Sequence, residues 1–297
     1  MRPLSLAKAG VILWLAAFFT SIVVPVAEAG IFYDLEFKGI YEDNVVGLLS
    51  DNRGGSSGMG ASAGPVMGVS RKSNMGMGGG HGPAYTGSSS TSNSDTSIDF
   101  SANLGNSWSV ADDTNVFLAG SAERTSYNSF TEFNATIGGL SAGVQKGFGD
   151  SLLARFTVNG AVKRYGDSQR DSSAYGANLK VKEQLGPSFW LREGYVYEKN
   201  SADSAFFSYS GNAVNLWAGF LVAPQTTVLA GYTYLVRDFD EPAGFKVTAH
   251  TLSLGLEQGF TKHWFLDAQY DHQASDSNEA GTSATDNMLS FGIRYSY

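Results

Sequence analysis

Apolar and polar positions alternate along most of this chain. In the last ten residues Leu289, Phe291, Ile293, Tyr295 and Tyr297 share one phase, and Met288, Ser290, Gly292, Arg294 and Ser296 share the other. Successive strand side chains point to opposite faces, so this segment makes one apolar face and one polar face. Such a strand suits a wall between oil and water. The same period recurs in Ile31–Tyr41, Ser97–Asn106, Asn115–Tyr127, Phe133–Lys146, Leu152–Tyr165, Ala174–Leu185, Phe189–Lys199, Asn212–Ala223, Thr227–Phe239, Val247–Phe260, Trp264–His272 and Asn287–Tyr297. The pattern predicts an all-β chain of twelve antiparallel strands. Registers in the third and seventh stay open, because Glu123, Arg124, Arg192 and Glu193 interrupt either phase.

The connections have a rhythm of their own. Short turns at 147–150, 186–188, 224–226 and 261–263 follow even-numbered strands, and longer loops at 166–173, 201–211, 240–246 and 273–286 follow odd-numbered ones. That asymmetry, with an even strand count, is expected of a transmembrane β-barrel with both termini in the periplasm. Aromatic residues near strand ends, namely Trp108, Trp190, Trp264, Tyr165, Tyr195 and Tyr197, are expected to form interfacial girdles. A soluble β-domain would also alternate, but it would seldom show this loop rhythm.

Composition narrows the setting. Arg2 and Lys8 precede an apolar run from Val11 to Val24, and Ala27-Glu28-Ala29 has the small-x-small form of a cleavage site. Residues 1–29 therefore read as a cleaved signal peptide and 30–297 as the barrel. The leader removes two basic residues and one acidic one, leaving the remainder one unit more negative than the whole chain's −8. That balance argues against a nucleic-acid partner. With no cysteine there is no disulfide framework and no thiolate metal site.

The terminal segment resembles the C-terminal signal strand of bacterial outer-membrane β-barrel proteins. The resemblance implies that Leu289, Phe291, Ile293, Tyr295 and Tyr297 are read by the barrel-insertion machinery, in the outer membrane of a Gram-negative bacterium. Gly39-Ile-Tyr-Glu-Asp-Asn-Val45 resembles a stretch near the start of many uncharacterised bacterial barrel porins, some linked to exopolysaccharide export. There it implies an Asp–Asn pair closing the first strand at the outer rim, bound to its loop backbone or to a cation.

From Gly47 to Thr96 the composition turns to Gly, Ser and Met, which predicts a flexible first extracellular loop. Met75, Met77 and His81, with Met59 and Met67, are soft donors suited to copper(I). An incidental glycine-rich surface loop is the preferred reading, and no metal or cofactor is assigned. The loop's length would also let it fold inward and plug the lumen.

If the apolar rows face lipid, the complementary rows line a lumen. They carry Asp34, Glu36, Lys38, Asp99, Arg155, Lys163, Lys180, Lys182, Arg237, Glu257, Asp267 and Arg294. The bases of the fifth and sixth strands lie half a ring away from the acids of the first, tenth and eleventh. Opposed walls would impose a transverse field on polar solutes. Catalytic alternatives are weaker. Outer-membrane phospholipases need a Ser/His/Asn set and omptin proteases an Asp/His pair. Here Asp271 and His272 are adjacent strand residues pointing to opposite faces. A rim site using His250, His272, Asp238 and Asp240 has no motif to support it. The expected function is a porin-like channel for small polar or charged solutes, in contact with outer-membrane lipid and lipopolysaccharide. The alternatives are a structural or complex-anchoring barrel and, behind it, a rim-site hydrolase.

Overall fold

Period-two alternation becomes twelve strands in the computed structural model, which describes residues 29–45, 94–279 and 283–297. They are β1 (Ala29–Glu42), β2 (Asp95–Ala111), β3 (Thr114–Tyr127), β4 (Ala135–Phe148), β5 (Leu152–Tyr165), β6 (Ser172–Gln184), β7 (Phe189–Ala202), β8 (Tyr209–Ala223), β9 (Thr226–Phe239), β10 (Lys246–Gly259), β11 (Trp264–Ser277) and β12 (Ser283–Ser296). Each pairs antiparallel with its sequence neighbours, and β12 returns to β1, so the sheet closes. No described strand is left with a free edge.

Register partners followed round the ring from Ala29 pass through Trp108, Val116, Val144, Phe156, Leu179, Tyr195, Val214, Tyr234, His250, Ala274 and Thr285. Extended by the β12–β1 register, the line meets β1 again at Val45, a stagger of about sixteen residues. With strands ~4.8 Å apart and a rise of ~3.3 Å per residue, this corresponds to a tilt of roughly 40–45° and a backbone diameter of about 25 Å. Inward side chains from opposite walls can therefore approach one another.

Several strands run further than the apolar pattern suggested. β2 continues to Ala111, β7 to Ala202 and β11 to Ser277, while β8 starts at Tyr209 and β12 at Ser283. Ladder hydrogen bonds do not require apolar side chains, so pairing persists where the sequence has turned polar. The leader, apart from Ala29, and the Met/His stretch lie outside the described residues. So does the expected 47–96 loop, apart from its last three residues, and of these Asp95 and Thr96 already belong to β2.

Both termini of the ring lie at one end, the near end. Pairing there reaches the last residue: Tyr297 N donates to Tyr33 O at 2.9 Å and Tyr33 N to Tyr297 O at 3.0 Å. At the far end the Asp43–Asn44 pair bridges to β12. The Asn287 backbone N–H donates to one Asp43 carboxylate oxygen at 2.7 Å and its side-chain amide to the other at 2.6 Å. Asn44 donates to Thr285 O at 2.8 Å and, through its backbone N–H, to Asp286 at 3.3 Å. The pair expected to close the first strand fastens the barrel seam.

Burial opposes ionisation of Asp43, but the hydrogen bonds from Asn287 and its neighbours outweigh it and hold the carboxyl below its ordinary range. A carboxyl depressed in the folded state stabilises above its unfolded pKa, about 4, and the gain is lost as pH falls through the folded value. Asp43→Ala should therefore cost about 1–2 kcal/mol at neutral pH, and the difference from the parent should shrink below pH 4. Urea titrations of both proteins in lipid vesicles at several pH values would measure it; a pH-independent difference would contradict the linkage.

Candidate channel lumen

The two faces of the sheet differ in kind. Large apolar residues stand exposed on the outside of strand after strand: Phe37, Phe100, Leu118, Leu140, Val158, Leu179, Tyr195, Leu216, Tyr232, Leu254, Leu266 and Phe291 run once round the ring. A soluble protein seldom exposes more than a few hundred Å² of continuous apolar surface, so this belt is lipid-facing.

Polar aromatic clusters border the belt. On three successive hairpins a tyrosine hydroxyl reaches a residue two positions further toward the far end on the next strand: Tyr195 to Asn212 at 2.6 Å, Tyr232 to His250 at 2.7 Å and Tyr270 to Asn287 at 2.7 Å. At the near end Tyr33 stacks on Tyr295 and Tyr297, with Trp264 edge-on to Tyr295. The girdle reading fails at two positions. Trp190 is buried on the inward row, and Tyr165 follows Lys163 in the inward phase of β5.

The interior is layered. Near the termini, after allowing for tilt, Asp34, Glu36, Glu257, Asp267 and Arg294 occupy the inward rows of β1 and β10–β12, and Arg155, Lys180, Lys182 and Arg192 occupy those of β5–β7. Arg294 binds Glu257 at 2.5 Å and Asp267 at 3.5 Å. Glu36 holds Lys38 at 3.1 Å on the same strand. On the opposite wall the cations lie over aromatic faces: Arg155 on Phe117 at 3.9 Å, Lys182 on Trp190 at 5.2 Å, and Arg192 between Trp190 and Trp217 at 5.7 and 5.8 Å. Arg155 lies within electrostatic range of Asp34, and Lys182 of Glu257. The two walls thus address each other across the interior.

Glycine explains how aromatic rings fit in so narrow a ring. Phe32 lies over Gly105, Phe117 over Gly143, Trp190 over Gly219 and Trp217 over Gly231, each on the next strand, where any Cβ would run into the ring. The rings lie flat against the wall instead of across the lumen. One layer up, the inward rows turn to small or amide residues, among them Ser101, Ser121, Asn159, Asn178, Gly231, Gly255 and Gln269. This layer is wider, and Asp99 and Lys38 border it as register partners.

At the far end the described interior is packed. Lys163 pairs with Glu198 at 2.9 Å; Glu198 also accepts from the Tyr209 hydroxyl at 2.7 Å, and the fully buried Arg237 stacks on that ring at 4.8 Å. Tyr209, Leu235, Phe239, Phe245 and Val247 form an apolar cluster beside them. Short 3-10 turns at Thr131–Phe133, Ser168–Arg170 and Ala205–Phe207 continue the sheet's hydrogen bonding from loop to loop. The Arg170 guanidinium sits between Phe133 and Phe207, 4.6 and 4.7 Å from their centroids.

All twelve residues assigned to the lumen from the sequence lie on the inward rows, and the geometry divides them among three levels. Lys163 and Arg237 belong to the far network, Asp99 and Lys38 to the middle, and the other eight to the near ring. The lumen assignment from the sequence left out Arg192, Glu198, Arg170 between Phe133 and Phe207, and the rings of Phe32, Phe117, Trp190 and Trp217 that lie on the inner wall. Arg192 was hidden because each phase of β7 carries two charges among large apolar residues, Arg192 and Glu198 in one and Glu193 and Lys199 in the other. In β3 the interruption resolves the same way, with Glu123 inward and Arg124 outward.

The histidines at the rim make no acid–base pair with the nearby aspartates. His272 faces outward and bonds Asn287 at 2.8 Å, whereas Asp271 faces inward and accepts from Ser253 at 2.5 Å. Asp238 and Asp240 are held by Lys246 and Lys199.

Closure, apolar belt and girdles together define a transmembrane β-barrel. No family model matches the chain, and no curated protein matches it in sequence. Among solved structures, an outer-membrane channel from Pseudomonas putida F1 is similar with TM-score 0.56 and 10% identity, over 93% of this chain and 98% of that one. The NanC porin is similar with TM-score 0.46 and 12% identity, over 66% and 93%. The β domain of the Bordetella autotransporter BrkA is similar with TM-score 0.45 and 13% identity, over 91% and 100%. The first of these shows the fold, that of outer-membrane β-barrels.

Proposed function

We propose that the protein is a porin-like channel of a Gram-negative outer membrane, its near end in the periplasm, passing small polar or charged solutes through a narrow lumen. The observation that carries this reading is the near ring, where bases on β5–β7 face acids on β1, β10 and β11 at one level. Walls of opposite sign orient a dipolar solute and act on ions in a region of low dielectric, where charges interact strongly. Arg155→Glu, Lys180→Glu and Lys182→Glu together should move the reversal potential of the reconstituted protein toward cation selectivity in a salt gradient. An unchanged reversal potential would sink the assignment of these side chains to the conduction path.

The packed far end favours a second reading, a structural or complex-anchoring barrel. Buried pairs such as Lys163–Glu198 and the clasp around Arg170 suit a rigid body as well as a constriction. The same bilayer experiment separates the two, because an inert barrel gives no resolved conductance.

A further inference from the structure

We propose that Arg124, Thr136 and Arg164 form a cradle on the outer surface of β3–β5 for the phosphate of an anionic membrane lipid, with one acyl chain lying in a glycine- and alanine-lined strip beneath it. The three residues are direct register partners on neighbouring strands, Arg124 opposite Thr136 and Thr136 opposite Arg164. All lie in the outward phase, at the top of the apolar rows that run down through Ala122 and Leu118 on β3 and through Val162 and Val158 on β5. With strands ~4.8 Å apart, the two arginine backbones are only about 10 Å from each other, a span that two guanidinium arms close around one phosphate.

Charge makes an anion the fitting occupant. Arg124 donates to the Thr136 hydroxyl at 2.5 Å, and Arg164 has Asp171 at 3.4 Å with its side chain 61% exposed. Among the described residues only Arg164 of the two meets a carboxylate, at the edge of a lipid-facing surface where a headgroup phosphate can balance the second charge. Below them, Gly120, Ala122, Gly138 and Gly160 leave the sheet surface bare. A Cβ added at Gly138 would meet nothing within 4 Å, and at Gly120 or Gly160 nothing nearer than 3.8 Å. Leu140 stands in register between Gly120 and Gly160, and Val162 beside Gly138, both exposed, so the bare strip runs from Gly138 along Ala122 and Gly120 with Leu140 as its side wall. The inference rests on the membrane-facing surface and is independent of conduction.

Native mass spectrometry of the full chain in detergent, titrated with dioleoylphosphatidic acid, provides the test. The parent should retain the lipid, and Arg124→Ala with Arg164→Ala should weaken retention tenfold or more. Arg124→Lys with Arg164→Lys, which keeps the charge but loses the fork, should fall between. Gly120→Leu with Gly138→Leu should weaken retention by filling the strip while leaving both arginines in place. Inorganic phosphate at the same concentration should not displace the lipid. Equal retention by the parent and either the double-alanine or the strip-filled variant would overturn the proposal, as would full displacement by inorganic phosphate. Heat-modifiable migration on gels verifies that each variant is folded.

Discussion

Replacing Arg294 with methionine is expected to lower the unfolding free energy of the barrel by about 3–5 kcal/mol. Arg294 holds Glu257 at 2.5 Å and Asp267 at 3.5 Å, and the Arg294 and Glu257 side chains are only 5% and 1% exposed. Removing the guanidinium would leave two carboxylates facing each other in a space that water barely reaches. The cost comes from those stranded charges more than from the lost attraction, which gives the prediction an internal control. Arg294→Met combined with Glu257→Gln and Asp267→Asn should recover most of the loss. Urea midpoints in lipid vesicles, at unchanged slope, would measure both. A triple variant as unstable as the single one would show that the contribution of Arg294 is packing against Phe265, which it overlies at 4.5 Å.

A second large effect is expected at Gly219. Its hypothetical Cβ falls within the Trp190 ring, so Gly219→Ala must push the indole off the wall and into the near ring, at a cost of about 1–3 kcal/mol. Gly39 is the matched control. It also lies within a strand, but a Cβ there meets nothing within 4 Å, so Gly39→Ala should be neutral or slightly stabilising. Urea midpoints of the two variants make the comparison, with Trp190 emission reporting displacement of the ring. Equal effects at the two positions would mean that flat stacking of rings on glycine contributes nothing to the barrel.

The barrel was legible because its main constraint is a period of two, which sequence displays directly. Leu152–Tyr165 was delimited to the residue, since Gly149 and Gly166 bracket a run whose apolar and polar members keep phase. The ends of β7 and β8 were not, because Asn200, Ser201 and Tyr209 offer no contrast between lipid and lumen once the strand leaves the membrane. Inward charges could be read by phase wherever a strand had one clear apolar row. Their partners could not, because Arg294 meets Glu257 two strands away, 37 residues back in the chain. Trp190 illustrates the opposite error. An aromatic residue near a strand end suits an interfacial girdle, and only the glycine on the neighbouring strand reveals that the ring lies inside.

The bridge from Asp43 and Asn44 to β12 bears on the order of assembly. Every other strand pair joins neighbours in sequence, so each can form once its hairpin or meander exists. The β1–β12 ladder links residues as far apart in sequence as Asp34 and Ser296 and must await both ends of the chain. Four hydrogen bonds from Asn287 and Asn44 become available only at that moment, at the end of the seam away from Tyr297. They therefore act as a latch on the finished ring: intermediates gain nothing from them, and reopening must break them together with the first rungs of the seam.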